Sequence, residues 1–71
     1  MFRIHVSDPT LVHDLADFFG RADCVALRAG RGLIEVRVPR ARSADHARGE
    51  VLDMLAALRA TNPGVEAELA D

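Results

Sequence analysis

The chain has no tryptophan, no tyrosine and no lysine, and its only aromatic residues are three phenylalanines, Phe2, Phe18 and Phe19. So few rings leave little from which to build a base-stacking surface, where each stacked base contributes about 1–3 kcal/mol. The single cysteine, Cys24, excludes an internal disulfide and leaves no second thiolate for a metal site. Its neighbours suggest a small, semi-buried hydrophobe. No apolar run approaches the length of a membrane span, and the opening Met1-Phe2-Arg3-Ile4-His5-Val6 lacks the apolar stretch of a secretion signal. A cytoplasmic protein with no membrane partner is expected. Because every basic side chain is arginine and alanine is abundant, a high-GC gene explains the choice of cation before any function does.

Among the residues that are present, 49% are hydrophobic and 28% charged, the balance of a globular chain. Residues 1–71 make one domain, near the lower size at which a core holds by itself, so association with a second copy would add stability. The net charge of −2 carries no overall nucleic-acid signature. Its distribution is uneven: seven of nine arginines fall between Arg21 and Arg48 against three acids, leaving +4 there and −6 in the two flanks together.

Phe2, Ile4 and Val6 alternate with Arg3 and His5, the period of a strand with one buried face. Ser7-Asp8-Pro9 then offers a side-chain acceptor followed by a proline at helical φ, a helix start. Leu11, Val12, Leu15, Phe18 and Phe19 share one helical face, and the helix is expected to close near Gly20. Val25 and Leu27 alternate with Cys24, Ala26 and Arg28. Past Ala29-Gly30-Arg31-Gly32, Ile34, Val36 and Val38 alternate with Leu33, Glu35 and Arg37, which together read as a hairpin stopped by Pro39. Ser43 is placed to cap a longer helix with Ala47, Val51, Met54, Leu55 and Leu58 inward; Gly49 within it suggests the close approach of a neighbouring backbone. Thr61-Asn62-Pro63-Gly64 ends that helix, and Val65, Ala67 and Leu69 alternate with Glu66 and Glu68 in a last strand.

The order βαββαβ with right-handed crossovers predicts an α+β, ferredoxin-like sandwich, a four-stranded antiparallel sheet with both helices on one face. The helices would cover Phe2, Ile4, Val6, Val25, Leu27, Ile34, Val36, Val38, Val65, Ala67 and Leu69. The open face would carry Arg3, His5, Ala26, Arg28, Leu33, Glu35, Arg37, Glu66 and Glu68, a wetted ionic surface that disfavours face-to-face apolar pairing and leaves edge-strand or helix-mediated pairing.

The stretch RGLIEVRV, Arg31 to Val38, resembles the core peptide of an RNA-recognition motif, which reads bases with rings on the open face of such a sheet. Leu33 and Glu35 occupy the positions where those rings would project, and the first strand offers Arg3 and His5. The resemblance is topological and not chemical, and nucleic acid is not the expected partner.

Gly30-Arg31-Gly32 is either a backbone nest for a phosphate beside Arg28 and Arg31 or a hairpin tip that needs glycine. His5, His13 and His46 fall on three different elements with no ligand spacing; His13 with Asp17 and His46 with Glu50 suit i,i+4 pairs. Cys24 has no recognisable orienting partner or oxyanion loop, so no catalysis, metal or cofactor is expected. Arg40, Arg42 and Arg48 flank the start of the second helix, where the dipole attracts anions.

VSDPTLVHDLADFFGRADCVALRAG, Val6 to Gly30, resembles the opening half of an ACT domain, in which a strand ends in an Asp-x-Pro-Gly-Leu-type turn before a helix and a second strand. Asp8, Pro9 and Leu11 match that turn with a short offset, and Thr10 stands where the family has glycine. The chain is also similar to short α/β proteins of high-GC bacteria, a likeness that implies no activity. The ACT resemblance implies ligand sensing at Ser7, Asp8, Pro9, Thr10 and Leu11, commonly across a dimer interface. The expected function is a non-catalytic binding or regulatory module acting on a protein partner or its own copy. The alternative is phosphate or nucleic-acid binding by Arg28, Arg31, Arg37, Arg40, Arg42 and Arg48, which rising salt would weaken steeply.

Overall fold

Alternation and helical spacing resolve into β1 (Phe2–Val6), α1 (Val12–Arg21), β2 (Val25–Gly30), β3 (Leu33–Arg37), α2 (Ala44–Thr61) and β4 (Ala67–Leu69) in a computed structural model describing residues 1–70. The class is α+β. The four strands form one sheet in the order β2-β3-β1-β4, with every neighbouring pair antiparallel, so β1 lies between β3 and β4. Val12, Leu15 and Phe19 of α1 and Ala47, Val51, Leu55 and Leu58 of α2 join Ile4, Val6, Ile34, Val36, Val38 and Ala67 in one buried cluster, so both helices cover the same face. α1 packs over β2 and β3, and α2 packs against β4.

The helix boundaries follow from side chains that satisfy free amides. Asp8 Oδ1 accepts from the Thr10 N–H at 3.0 Å and from Thr10 Oγ1 at 2.7 Å, and Pro9 opens a single 3-10 turn, Pro9–Leu11, that leads into α1. α1 runs through Gly20 to Arg21, and the chain reverses at Asp23, whose φ of 62° is left-handed. At the head of α2, Ser43 Oγ accepts from the His46 N–H at 3.1 Å.

Three expectations need correction. Gly49 does not admit a neighbouring backbone, because a Cβ built there meets nothing within 4 Å. The last strand begins at Ala67 and not Val65, although Val65 still packs against the core.

The third correction is larger. Alternation predicts Val25 and Leu27 beneath the helices, yet they lie on the open face, 39% and 55% exposed. A regular hairpin closed by Arg31-Gly32 would set Leu27 opposite Val36, turned inward. Instead, an irregularity between Arg28 and Gly30 shifts the register by one residue, so Ala26 faces Val36, Leu27 faces Glu35 and Arg28 faces Ile34. Such a slip exchanges the two faces of a strand. Ala26 and Arg28, expected on the open face, therefore lie on the helix side. The physical reason is volume: Phe19 is fully buried where α1 crosses β2, and the small Ala26 and Cys24 leave it room that Leu27 and Val25 would take.

The open face is thus half apolar and half ionic. Val25, Leu27 and the half-buried Leu33 lie toward β2, while Arg3 bonds Glu35 across the strands at 3.5 Å and His5 lies opposite Glu68. None of the three phenylalanine rings lies on it: Phe19 is in the core, and Phe2 and Phe18 pack against the core.

Candidate functional site

The register shift also shapes a concavity at the hairpin end of the sheet. A cleft of about 530 Å³ opens between Pro9 and Val12 at the start of α1 and the hairpin segment Arg28–Gly32. Arg28 lines it because the slip has turned this side chain to the helix side. Arg31 contributes from the tip. The tip itself is held by β1: the Val6 N–H donates to the Gly32 carbonyl at 2.8 Å, and Gly32 has a φ of +69° that disfavours any side chain. The walls are therefore anchored to the central strand of the sheet.

Chemically, the cleft is lined by two arginines and by Pro9, with the buried Val12 at its base. Each guanidinium carries five N–H donors in a planar fork suited to oxyanions. Among the described residues that line the cleft, none is acidic.

Of the turn Ser7 to Leu11, only Pro9 reaches this cleft. Ser7 donates its N–H to the Glu66 carbonyl at 3.0 Å, Asp8 and Thr10 engage each other, and Leu11 lines a separate hollow with Phe18, Leu58 and Val65. The hydroxyl and then the N–H of Thr10 hold the Asp8 carboxyl below its ordinary value.

The arginines are likewise divided. Arg37 lies opposite Val25 on the open face. Arg40 bonds the Ala22 carbonyl at 2.8 Å and Glu50 Oε2 at 2.7 Å, and lies 4.0 Å from Asp23, so it ties the β3–α2 segment to the end of α1. Arg42 donates its backbone N–H to His46 Nδ1 at 3.1 Å beside a different hollow, and Arg48 sits on the exposed side of α2. Of these six arginines, only Arg28 and Arg31 line the cleft. Val12 and Ala29, which complete the lining, were not candidates in the sequence, since helical spacing marks Val12 as core and nothing local marks Ala29 as the site of a slip.

His13 and His46 lie beside carboxylates, Cys24 is enclosed, and His5 is exposed on the open face. His13 lies 3.7 Å from Asp17, and His46 Nε2 lies 3.5 Å from Glu50. Cys24 is buried with its Sγ 4.0 Å from Met54 Sδ, and burial raises its thiol pKa above the ordinary value, against the opposing charge of Arg40. No protein-family model, curated protein or solved structure matches this chain.

Proposed function

We propose that the chain is a non-catalytic binding module of ferredoxin-like architecture, whose ligand site is the cleft between the β1–α1 turn and the β2–β3 hairpin. The observation that carries this reading is that Arg28 and Arg31 line one cleft of about 530 Å³ together with Pro9. The strand order β2-β3-β1-β4 supports the ferredoxin-like arrangement. Placement of the cleft beside Pro9 fits the ligand sensing that the ACT resemblance implies. The buried thiol of Cys24 and the placement of His13 and His46 beside separate carboxylates, away from the cleft, favour binding over turnover.

Self-association belongs to the same proposal. β2 is an edge strand with Val25 and Leu27 exposed, a surface on which a second copy gains both backbone pairing and apolar contact.

The test is a titration of the isotope-labelled protein with a panel of amino acids, nucleotides and small acids, read by backbone amide shifts. Saturable shifts confined to Val12 and Ala29–Gly32 are expected for at least one probe. Shifts that avoid those residues for every probe would refute the site. Sedimentation at rising concentration tests self-association, which Leu27→Glu is expected to weaken.

A further inference from the structure

We infer that the ligand of this cleft is a phosphorylated small molecule, a phosphomonoester whose dianion lies between Arg28 and Arg31; the inference rests on the binding reading above. Among the described residues Arg28 and Arg31 form no ion pair, whereas Arg3 and Arg40 are paired with Glu35 and Glu50. Two arginines without an ion pair line one cleft, and a phosphomonoester carries about −1.5 to −2 at neutral pH, close to the sum of their charges.

Among the described residues, the cleft also lacks an acid. A free amino acid brings an ammonium group as well as a carboxylate, and none of the described lining residues offers a carboxylate to receive it. The nearest acid in sequence, Asp8, is not part of the lining and already accepts two hydrogen bonds from Thr10. An amino acid would therefore find no partner in that lining for its ammonium, a group that a phosphomonoester need not carry. The cleft extends from Arg28 and Arg31 to Pro9, whose exposed ring offers an apolar contact for the body that carries the phosphate.

The experiment compares inorganic phosphate, glucose 6-phosphate, glucose, leucine and a short single-stranded oligonucleotide, each titrated into the labelled protein at about 0.15 M salt. Glucose 6-phosphate is expected to shift the Val12 and Ala29–Gly32 amides saturably, at least about tenfold more tightly than leucine, while glucose does nothing. Arg28→Gln and Arg31→Gln should each weaken glucose 6-phosphate at least about tenfold, and Arg37→Gln should leave it unchanged. Both cleft arginines are exposed, so an otherwise unaltered amide spectrum will verify that the variants fold. If leucine moves the same amides as tightly as glucose 6-phosphate, the phosphomonoester class falls and the binding site stands. If no probe moves them, both fall. If the oligonucleotide binds more tightly and moves Arg37 and Arg42 as strongly as the cleft, a nucleic-acid backbone replaces the small molecule as the ligand.

Discussion

The Val6 carbonyl oxygen lies 2.7 Å from where a Cβ on Gly32 would stand, while the Val6 N–H donates to the Gly32 carbonyl at 2.8 Å. The hairpin tip is thus docked on the end of β1 so closely that only hydrogen fits. Gly32→Ala brings that clash together with a side chain at positive φ, and is expected to destabilise the fold by about 2 kcal/mol or more. The measurement is the denaturant midpoint, and an unchanged midpoint would contradict the docking. Because the tip forms one wall of the cleft, the same variant should also perturb the Ala29 and Val12 amides.

Leu27 and Phe19 test the register of β2. With Leu27 outward, Leu27→Ala should change the stability of the monomer by no more than about 0.5 kcal/mol. Phe19→Ala, in the buried layer, should cost about 3–5 kcal/mol. Urea unfolding of the two variants decides the matter, since an inward Leu27 would make its truncation cost about 2–5 kcal/mol.

Gly49 sits inside α2, exposed, with open space around the position of a Cβ. Gly49→Ala is expected to stabilise the protein by roughly 1 kcal/mol through helix propensity alone. In a domain of this size that corresponds to a rise of about 4–8 °C in Tm, readable by thermal unfolding followed by circular dichroism. No rise would mean that the glycine serves a contact outside this chain.

Asp8 makes stability depend on acid. The Thr10 hydroxyl and N–H favour the ionised carboxylate, so its folded pKa lies below its unfolded one. Its contribution is fully present above the unfolded value and is lost as pH falls through the folded value. Asp8→Ala should therefore be less stable than the parent at neutral pH, with the gap narrowing in acid. Unfolding midpoints across that range check the sign, and a gap that widens in acid would reverse the assignment.

Much of this architecture was legible before any coordinate. In β1 the apolar set Phe2, Ile4 and Val6 faces one way and Arg3 and His5 the other, so only one phase buries the strand. The Ser43 cap of α2 was equally plain, whereas Asp8 caps only the 3-10 turn Pro9–Leu11 and α1 begins at Val12 with no side-chain cap. Half of the site could be named as well. Arg28, Arg31 and Pro9 were all candidates, but they belonged to separate hypotheses, and no spacing in the chain joins a turn near Pro9 to a hairpin tip near Arg31.

By itself the sequence determined the order of strands and helices and the buried faces of β1, β3, α1 and α2, since in each of these one parity or one stripe is apolar and its opposite is mostly polar, Leu33 and Leu52 excepted. Only the tertiary structure decided the phase of β2. There both parities are apolar, Cys24 and Ala26 against Val25 and Leu27, so local hydrophobicity does not choose between them. The choice falls to the volume left beneath α1 by Phe19, which the smaller pair fits, and the slip between Arg28 and Gly30 that satisfies it is what turns Arg28 into the cleft.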